Sequence, residues 1–255
     1  MSLLTEAVSV LGRSGKILAF TGAGISTESG IPDFRGPEGL WTKIDPDDFN
    51  IDRYLADPEL RMRSWQMHLE GALWGARSTV EPNRGHHALK RLADSGRLAG
   101  VVTQNVDGLH HKSGLTTAQV AELHGNVRTS QCLQCGAGWD TEEVLGWIEG
   151  GDPDPTCPRC GGMVKTNTVM FGELLPTEEL DKAMAFLSEA GSLLVVGSTV
   201  AVWPASDVVL RAAFQSMPIV IINQGETEAD HLAAVKIDAA IGEVLPPMVD
   251  GILAH

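Results

Sequence analysis

Short, uninterrupted apolar runs alternate along this chain with longer segments of helical periodicity. The apolar runs are residues 16–20, 98–102, 193–197 and 218–223. Runs of this length without polar alternation are typical of strands buried on both faces of a parallel sheet. Apolar residues recur at helical spacing in residues 3–11, 58–73, 85–92, 177–190, 205–214 and 244–253. The alternation predicts an α/β fold built on a Rossmann-like, doubly wound parallel sheet.

Two stretches interrupt this alternation and are predicted to be insertions. The first, residues 36–82, is punctuated by Pro and Asp and then becomes helical. The second, residues 125–165, contains all four cysteines and a Gly-Gly-Asp-Pro-Asp-Pro run. The predicted Rossmann-like domain is therefore discontinuous and comprises residues 1–35, 81–124 and 167–255. The smaller inserted domain comprises residues 36–80 and 125–166.

The composition and net charge of the chain limit the kinds of molecule that it is expected to bind. The chain has 255 residues, 43% of them hydrophobic, which is enough for a folded core. Its 33 acidic residues outnumber 19 Lys and Arg, so the formal net charge is −14. This field repels phosphate backbones and anionic lipid, and we expect neither nucleic acid nor a membrane as partner. No secretory signal precedes the first helical segment, so we expect a cytoplasmic protein. We also expect a monomer.

A glycine-rich turn directly follows the first apolar run. The sequence there is Phe20-Thr-Gly-Ala-Gly-Ile-Ser26, and its two glycines allow a pyrophosphate to approach backbone N–H groups at a helix start. The third glycine of the dinucleotide fingerprint falls on Thr27, and no convincing acid stands at the end of a second strand to hold a ribose. These departures disfavour a standard dehydrogenase. A purely structural glycine turn stays open as the alternative.

Asp33, Phe34 and Arg35 place an acid, an aromatic ring and a guanidinium just beyond this turn. The guanidinium of Arg35 suits bidentate pairing with a phosphate, and the Phe34 ring suits shielding a reactive sugar carbon from water. The alternative is that Asp33 and Arg35 form a surface ion pair and that Phe34 belongs to the core.

Amide, carboxylate and imidazole groups follow the second apolar run. Gln104, Asn105 and Asp107 lie in a strand-end loop, where open α/β sheets bind ligands and where these groups suit hydrogen bonds to a ribose or a carboxamide. His124 ends the next strand-like segment, immediately before the cysteine insertion. A general base beside the cleft between two domains would stand there. A structural role for His124 is the alternative.

The cysteines form a double Cys-x-x-Cys pattern. Cys132 and Cys135 precede Cys157 and Cys160, with 21 residues between the two pairs. Two such pairs on short turns give a tetrahedral zinc site with no position left for water or substrate, so we expect one structural zinc ion. A pair of redox dithiols is the alternative. The inserted domain is thus predicted to be helical plus zinc-ribbon.

These motifs together resemble the sirtuin family, in the form of its short, prokaryotic-type members. The resemblance runs from about Lys16 to the end of the chain. Its motifs occur in family order as Gly22-Ala-Gly-Ile-Ser26, Gly30-Ile-Pro-Asp-Phe-Arg35, Thr103-Gln-Asn-Val-Asp-Gly-Leu-His110, Leu123-His-Gly125, the two Cys pairs and Phe171-Gly-Glu173. In that family a Rossmann-like domain and a small zinc domain enclose a cleft in which NAD meets an acylated lysine.

The resemblance implies residues that bind NAD and residues that carry catalysis. His124 and Asn105 would be catalytic, with His124 as the general base. The residues expected to contact NAD are Gly22, Ala23, Gly24, Ser26, Asp33, Phe34, Arg35, Gln104, Asn105, Asp107, Gly197, Ser198, Thr199, Asn223, Gln224, Gly225 and Ala240.

The implied activity is that of an NAD-dependent protein lysine deacylase. The acyl oxygen attacks C1′ of the nicotinamide ribose and expels nicotinamide. His124 then takes a proton from a ribose hydroxyl, and the acyl group is transferred to ADP-ribose. An imidazole suits this step because its unperturbed pKa, about 6.5, leaves it mostly neutral near pH 7.

The implied substrate-binding segment is Val169, Met170, Phe171, Gly172 and Glu173, where an acyl-lysine segment of another protein would pair as an added strand. This chain departs from the family pattern in that Thr166, Thr168 and Met170 replace a usual Pro, Val and aromatic residue. These departures bear on the choice of acyl chain rather than on the reaction.

Two helical positions bear on acyl preference. Sirtuins that remove succinyl or malonyl groups carry a Tyr and an Arg three residues apart, and alignment places Trp65 and His68 there. Without that Arg we expect neutral acyl groups to be preferred, although Arg61 or Arg63 could substitute. The alternative for Trp65 is packing of the helix against the zinc-binding part.

The sequence leaves two other functions open. The first is mono-ADP-ribosyl transfer to protein from the same NAD site. The second is a zinc-ribbon interaction module on a nucleotide-sensing scaffold without turnover. The presence of Asn105, Asp107 and His124 disfavours the second, because a protein without catalysis would not need them.

Overall fold

The computed structural model describes residues 2–254. Its helices are α1 (Leu3–Arg13), α2 (Ile51–Ala56), α3 (Pro58–Glu70), α4 (Arg84–Asp94), α5 (Leu109–Lys112), α6 (Thr141–Glu149), α7 (Thr177–Glu189), α8 (Asp207–Phe214) and α9 (Ile241–Leu253). Its strands are β1 (Ile17–Thr21), β2 (Leu98–Thr103), β3 (Val120–Glu122), β4 (Gly125–Cys132), β5 (Gly138–Asp140), β6 (Val164–Thr168), β7 (Ser192–Val196), β8 (Ile219–Ile222) and β9 (Val235–Ile237).

Six of these strands form one parallel sheet in the order β3-β2-β1-β7-β8-β9. Counted within the sheet, this is the 3-2-1-4-5-6 order of the Rossmann fold. The central strand β1 pairs with β2 on one side and with β7 on the other, and all of its residues are buried. The predicted Rossmann-like, doubly wound sheet is confirmed.

Helices cover both faces of this sheet, which is why its central strands are apolar without alternation. On one face, α1, α4 and α9 pack on a core that contains Leu11, Leu89 and Met248. On the other face, α7 and α8 supply Phe186 and Val209 to a second core.

The cysteine-containing stretch forms a separate three-stranded antiparallel sheet in the order β5-β4-β6. A small apolar core lies against it and contains Trp65 of α3 together with Val144 and Leu145 of α6. The two stretches interpreted as insertions therefore contact each other. The exact division of the chain into two domains stays a prediction.

The hydrophobic pattern located four of the six parallel strands to within one residue at each end. It did not identify β9 as a strand, because Val235–Ile237 is too short to give a recognisable run. It also did not predict α2 or α6 within the inserted stretches. No helix within residues 2–254 is both long enough and apolar enough to cross a bilayer.

Candidate active site

One cavity of about 490 Å³ opens at the carboxyl edge of the parallel sheet. The loops after β1, β2, β7 and β8 all contribute to its wall. The strand order reverses between β1 and β7, and such a switch point is where open α/β sheets bind nucleotides. A volume in this range suits a ligand of cofactor size.

The glycines after β1 permit a close approach of two backbones at this switch point. Gly24 N donates to Gly197 O at 2.9 Å, and a Cβ on Gly24 would lie 2.7 Å from Gly197 Cα. Gly197 has a φ of +62°, which favours glycine. Thr27, where the dinucleotide fingerprint has a glycine, uses its hydroxyl to donate to Gly24 O at 3.0 Å. The glycines after β1 therefore allow this loop to pack against the loop after β7, and they do not form the dinucleotide fingerprint of a dehydrogenase.

A buried polar network joins the loop after β1 to the loop after β2. Ser26 donates to Asp107 Oδ2 at 2.7 Å, and Asn105 Nδ2 donates to Gly22 O at 3.1 Å. Burial raises the pKa of Asp107, against hydrogen bonds from Leu109 N and the Ser26 hydroxyl that lower it. The network fixes Asn105 and Asp107 on the cavity wall.

Gln104 connects this network to the loop after β7 and to His124. Its side-chain Nε2 donates to Ser198 Oγ at 2.7 Å. Its main-chain oxygen lies 2.9 Å from His124 Nδ1. Because a carbonyl only accepts, Nδ1 carries the proton of the neutral imidazole, and Nε2 is left as the acceptor. Burial lowers the pKa of His124, although the bond to Gln104 opposes this shift.

The backbone around His124 ties it to the expected substrate-binding segment. Val169 N donates to His124 O at 2.8 Å. The next residue, Gly125, has a φ of +70°, and a Cβ there would lie 1.7 Å from Asn167 O. Any other residue at this position would push β4 away from β6, so a glycine after His124 is a geometric requirement.

The loop with Asp33, Phe34 and Arg35 forms another part of the wall. Asp33 Oδ1 accepts from Gly36 N at 2.8 Å, which closes the loop. The Phe34 ring lies 4.9 Å from the Trp41 ring, measured between centroids. Arg35 is exposed and forms no ion pair with the described residues 2–254. The surface pair of Asp33 with Arg35 is therefore not formed.

The segment Val169–Glu173 also lines the cavity. Phe171 N donates to Phe49 O at 2.8 Å, and Ile51 N donates to Phe171 O at 3.0 Å. Met170 N donates to Glu173 Oε2 at 2.8 Å. Buried Lys165 lies 3.0 Å from the same carboxylate oxygen. The segment is thus held by main-chain hydrogen bonds to Phe49 and Ile51 and by the ion pair between Lys165 and Glu173.

Two of the predicted site residues do not reach the cavity. Trp65 is 1% exposed and packs with Cys132 and Val144 in the small core, so its placement in an acyl pocket is wrong and the packing alternative holds. Ala240 lies directly before α9 and is not among the residues that line the cavity. All other predicted NAD and substrate residues, His68 and His124 included, line this one cavity.

Several residues of the first inserted stretch line the cavity although no sequence motif predicts them. They are Trp41, Phe49, Ser64, Met67 and Trp74. Except for the polar Ser64, they belong to one apolar cluster with Phe34. No regular sequence spacing connects these residues, because three of them, Trp41, Phe49 and Trp74, lie outside the α-helices. The helix α3 is oriented so that Ser64, Met67 and His68 line the cavity, whereas Trp65 packs in the small core.

The four cysteines converge as predicted. All four sulfur atoms lie within 4.8 Å of one another, with Cys132 and Cys160 at 3.5 Å and Cys135 and Cys157 at 3.6 Å. Tetrahedral zinc with Zn–S bonds of about 2.3 Å requires S···S distances of about 3.8 Å. Disulfide bonding requires about 2.0 Å, so the thiol arrangement fits zinc and excludes disulfides. Hydrogen bonds from Cys135 N and Gln134 N lower the pKa of Cys132.

Comparison with known proteins decides the family. The model of the Sir2 family matches residues 22–204. This chain belongs to the Sir2, or sirtuin, family. Among relatives of this Sir2-family chain, the "NAD-dependent protein deacetylase 1" of Pyrobaculum aerophilum is 39% identical over 97% of the chain and 94% of the relative. The "NAD-dependent protein deacetylase 2" of Streptomyces coelicolor is 41% identical over 92% of the chain and 97% of the relative.

Solved structures agree with this assignment. A Sir2 enzyme structure superposes on the Sir2-family chain with a TM-score of 0.87, at 36% identity over 98% of both chains. A Sir2 structure with a p53 peptide and NAD⁺ gives a TM-score of 0.84, at 32% identity over 100% of both chains. A further Sir2 structure contains a deacetylated p53 peptide and 3′-O-acetyl ADP-ribose, with a TM-score of 0.85 at 33% identity over 97% of both.

Proposed function

We propose that this protein is an NAD-dependent protein lysine deacylase that prefers neutral acyl groups. It releases nicotinamide and transfers the acyl group to ADP-ribose. The observation that carries the proposal is the position of His124, which lies on one cavity wall with the glycine loops and with the segment Val169–Glu173. Relatives named as NAD-dependent protein deacetylases favour deacylation over protein mono-ADP-ribosylation.

The residues present fit NAD. The loops after β1 and β7 meet at the switch point of the sheet, where main-chain N–H groups suit a pyrophosphate. Arg35 is on the wall without an acidic partner in residues 2–254, so its guanidinium is available for a phosphate. When bound, NAD supplies an electrophilic ribose carbon and nicotinamide as the leaving group.

His124 acts as the general base through Nε2. The bond from Nδ1 to Gln104 O fixes the tautomer and the orientation of the ring. The lowered pKa keeps the ring neutral at pH 7, ready to take a proton from a ribose hydroxyl. Asn105 Nδ2 donates to Gly22 O, and this bond fixes the side-chain amide so that it can orient polar groups of a bound ligand. Phe34 and the aromatic residues around it exclude water from the reacting carbon.

The preference for neutral acyl groups follows from the charges on the wall. Arg35 is the one Lys or Arg that lines the cavity among residues 2–254. Arg61, a candidate partner for an acyl carboxylate, is tied to Asp154 with Nη2 to Oδ2 at 2.7 Å and also donates to Tyr54 O. Arg63 is exposed and does not line the cavity. An acyl carboxylate would therefore be desolvated without a cation.

Zinc in the four-cysteine site is structural in this proposal. All four sulfur ligands saturate a tetrahedral ion, which leaves no site for substrate. A zinc ion held by Cys132, Cys135, Cys157 and Cys160 would connect the turn after β4 to the turn before β6 and so would support the small core behind α3.

The acyl-lysine segment of a partner protein would pair with Val169–Glu173 as an added strand. The net charge of −14 favours Lys-rich segments in this role. That the protein is monomeric and cytoplasmic, and that it binds neither nucleic acid nor a membrane, stays a prediction.

The test is mass spectrometry of the protein with NAD and peptides that carry acetyl-, butyryl- or succinyl-lysine. We expect deacylated peptide and acyl-ADP-ribose with the two neutral groups and a slower reaction with succinyl. A succinyl rate well above the acetyl rate would contradict the neutral preference. Covalent labelling of protein by ADP-ribose, without deacylation, would replace the proposal with the transferase alternative.

A further inference from the structure

The helix α3 presents two polar side chains to the cavity, one helical turn apart. Ser64 and His68 line the wall together with Met67. Residues four apart on a helix lie on the same face. Nothing in the catalytic proposal uses Ser64 or His68, and both lie far in sequence from the NAD loops.

The protonation state and the tautomer of His68 are fixed by its surroundings. The side chain is 3% exposed, and burial lowers its pKa to about 4, so the ring is neutral at pH 7. Its Nδ1 accepts a hydrogen bond from Ala76 N at 3.2 Å. The single proton of the neutral ring is therefore on Nε2, which is a donor.

That Nε2–H group has no protein acceptor among residues 2–254, and the same holds for the Ser64 hydroxyl. Neither His68 Nε2 nor Ser64 Oγ is among the fully buried side-chain atoms that lack a hydrogen-bond partner, so both atoms are accessible to solvent. Since His68 is almost fully buried and lines the cavity, its accessible edge opens into the cavity. The Nε2–H group of His68 and the hydroxyl of Ser64 are therefore both free to hydrogen-bond a ligand from the same wall of the cavity.

The wall around this pair is apolar and adjoins the substrate-binding segment. Met67, Trp74, Phe49 and Phe34 belong to one cluster, and Trp74 lies 5.4 Å from Phe34 between ring centroids. Phe49 O accepts from Phe171 N, which connects this cluster to the expected peptide strand. The acyl chain of a bound lysine would therefore enter an apolar pocket that holds two polar groups.

We propose that Ser64 and His68 select short acyl chains that carry a hydroxyl group over hydrocarbon chains of equal length. The proposal rests on the deacylase function. His68 Nε2–H donates to the acyl hydroxyl oxygen, and the acyl hydroxyl donates to Ser64 Oγ. A plain hydrocarbon chain leaves both protein groups unpaired in a dry pocket, which is the arrangement that gives strong discrimination. Because both groups lie on one wall, one enantiomer of the hydroxyacyl group is preferred.

The experiment measures kcat/KM for one peptide with acetyl-, butyryl- or 3-hydroxybutyryl-lysine, the last as each enantiomer separately. For the unchanged protein we expect the better enantiomer to exceed butyryl by ~5- to 50-fold. His68→Phe, which keeps a planar ring without a donor, should bring this ratio to about one. Ser64→Ala, which does not disturb the Ala76 contact, should lower it by ~3-fold. Gln66→Ala, an exposed change on the same helix, is the matched control and should keep the ratio.

The outcomes separate this inference from the function on which it rests. Acetyl turnover with a hydroxybutyryl-to-butyryl ratio near one in the unchanged protein overturns the inference and leaves the deacylase proposal standing. A high ratio that survives both Ser64→Ala and His68→Phe overturns the assignment to these residues. Absence of turnover with every peptide overturns both proposals.

Discussion

Lys165 offers a sharp test of how the substrate-binding segment is held. The side chain is 3% exposed on β6, and its Nζ donates to Thr166 O and Thr168 O as well as pairing with Glu173. Burial lowers the pKa of Lys165, and the charge of Glu173 opposes this shift. Glu173 in turn accepts from Met170 N. One ammonium group therefore fixes the segment on which a peptide would pair.

The variant Lys165→Met removes the ammonium and keeps most of the side-chain volume. Breaking a buried ion pair by removal of one partner costs about 3–5 kcal/mol. The Glu173 side chain is 24% exposed, so water solvates part of the stranded carboxylate and the lower end of that range applies. We expect a loss of about 3 kcal/mol in the free energy of unfolding, or roughly 6–12 °C in Tm for a chain of this size.

The assay combines urea unfolding with steady-state kinetics. Lys165→Met should raise the KM for the peptide by roughly 10-fold, which corresponds to about 1.4 kcal/mol, while the KM for NAD changes little. Lys165→Arg should restore part of the affinity. A double-mutant cycle with Glu173→Gln isolates the pair, because the two single losses should not add. Additivity to within about 0.5 kcal/mol, or equal changes in both KM values, would refute the positioning role.

Two further predictions concern pH and zinc. Because burial lowers the pKa of His124 and the reaction needs the neutral imidazole, the acid limb of kcat/KM should be centred below the value of about 6.5 for a free imidazole; an acid limb centred at or above pH 6.5 would contradict the assigned base. Removal of zinc by a chelator should speed amide hydrogen exchange in β4, β5 and β6 while β1 and β7 stay protected; uniform loss of protection would show that the small sheet is not a separate unit of stability.

The fold was predictable because the central strands are buried on both faces and therefore apolar throughout. Residues 16–20 and 193–197 gave clear signals for the two strands that flank the switch point. The strand β9 gave none, since three residues carry too little pattern. The four-cysteine cluster was predictable from spacing alone because zinc geometry dictates it.

The α3 wall of the cavity was predicted only in part, because His68 was expected there and Ser64 and Met67 were not. Neighbouring side chains on a helix point about 100° apart, and this separates buried Trp65 from cavity-lining Ser64. The low amphipathicity of α3 adds to the difficulty, because the helix contacts the small core on one face and the cavity on another. Trp41 and Phe49 lie in two short 3-10 helices, which are too short to give a recognisable sequence pattern.

The central claim is that His124 is the base of an NAD-dependent deacylation. Mass spectrometry of the products from an acetylated peptide and NAD, for the unchanged protein and for His124→Ala, tests it most directly, with NAD affinity measured in parallel. The account predicts nicotinamide, deacetylated peptide and O-acetyl-ADP-ribose in equal amounts, and a loss of ~10²- to 10⁴-fold in His124→Ala with NAD affinity retained. A variant that turns over at the normal rate would contradict the account.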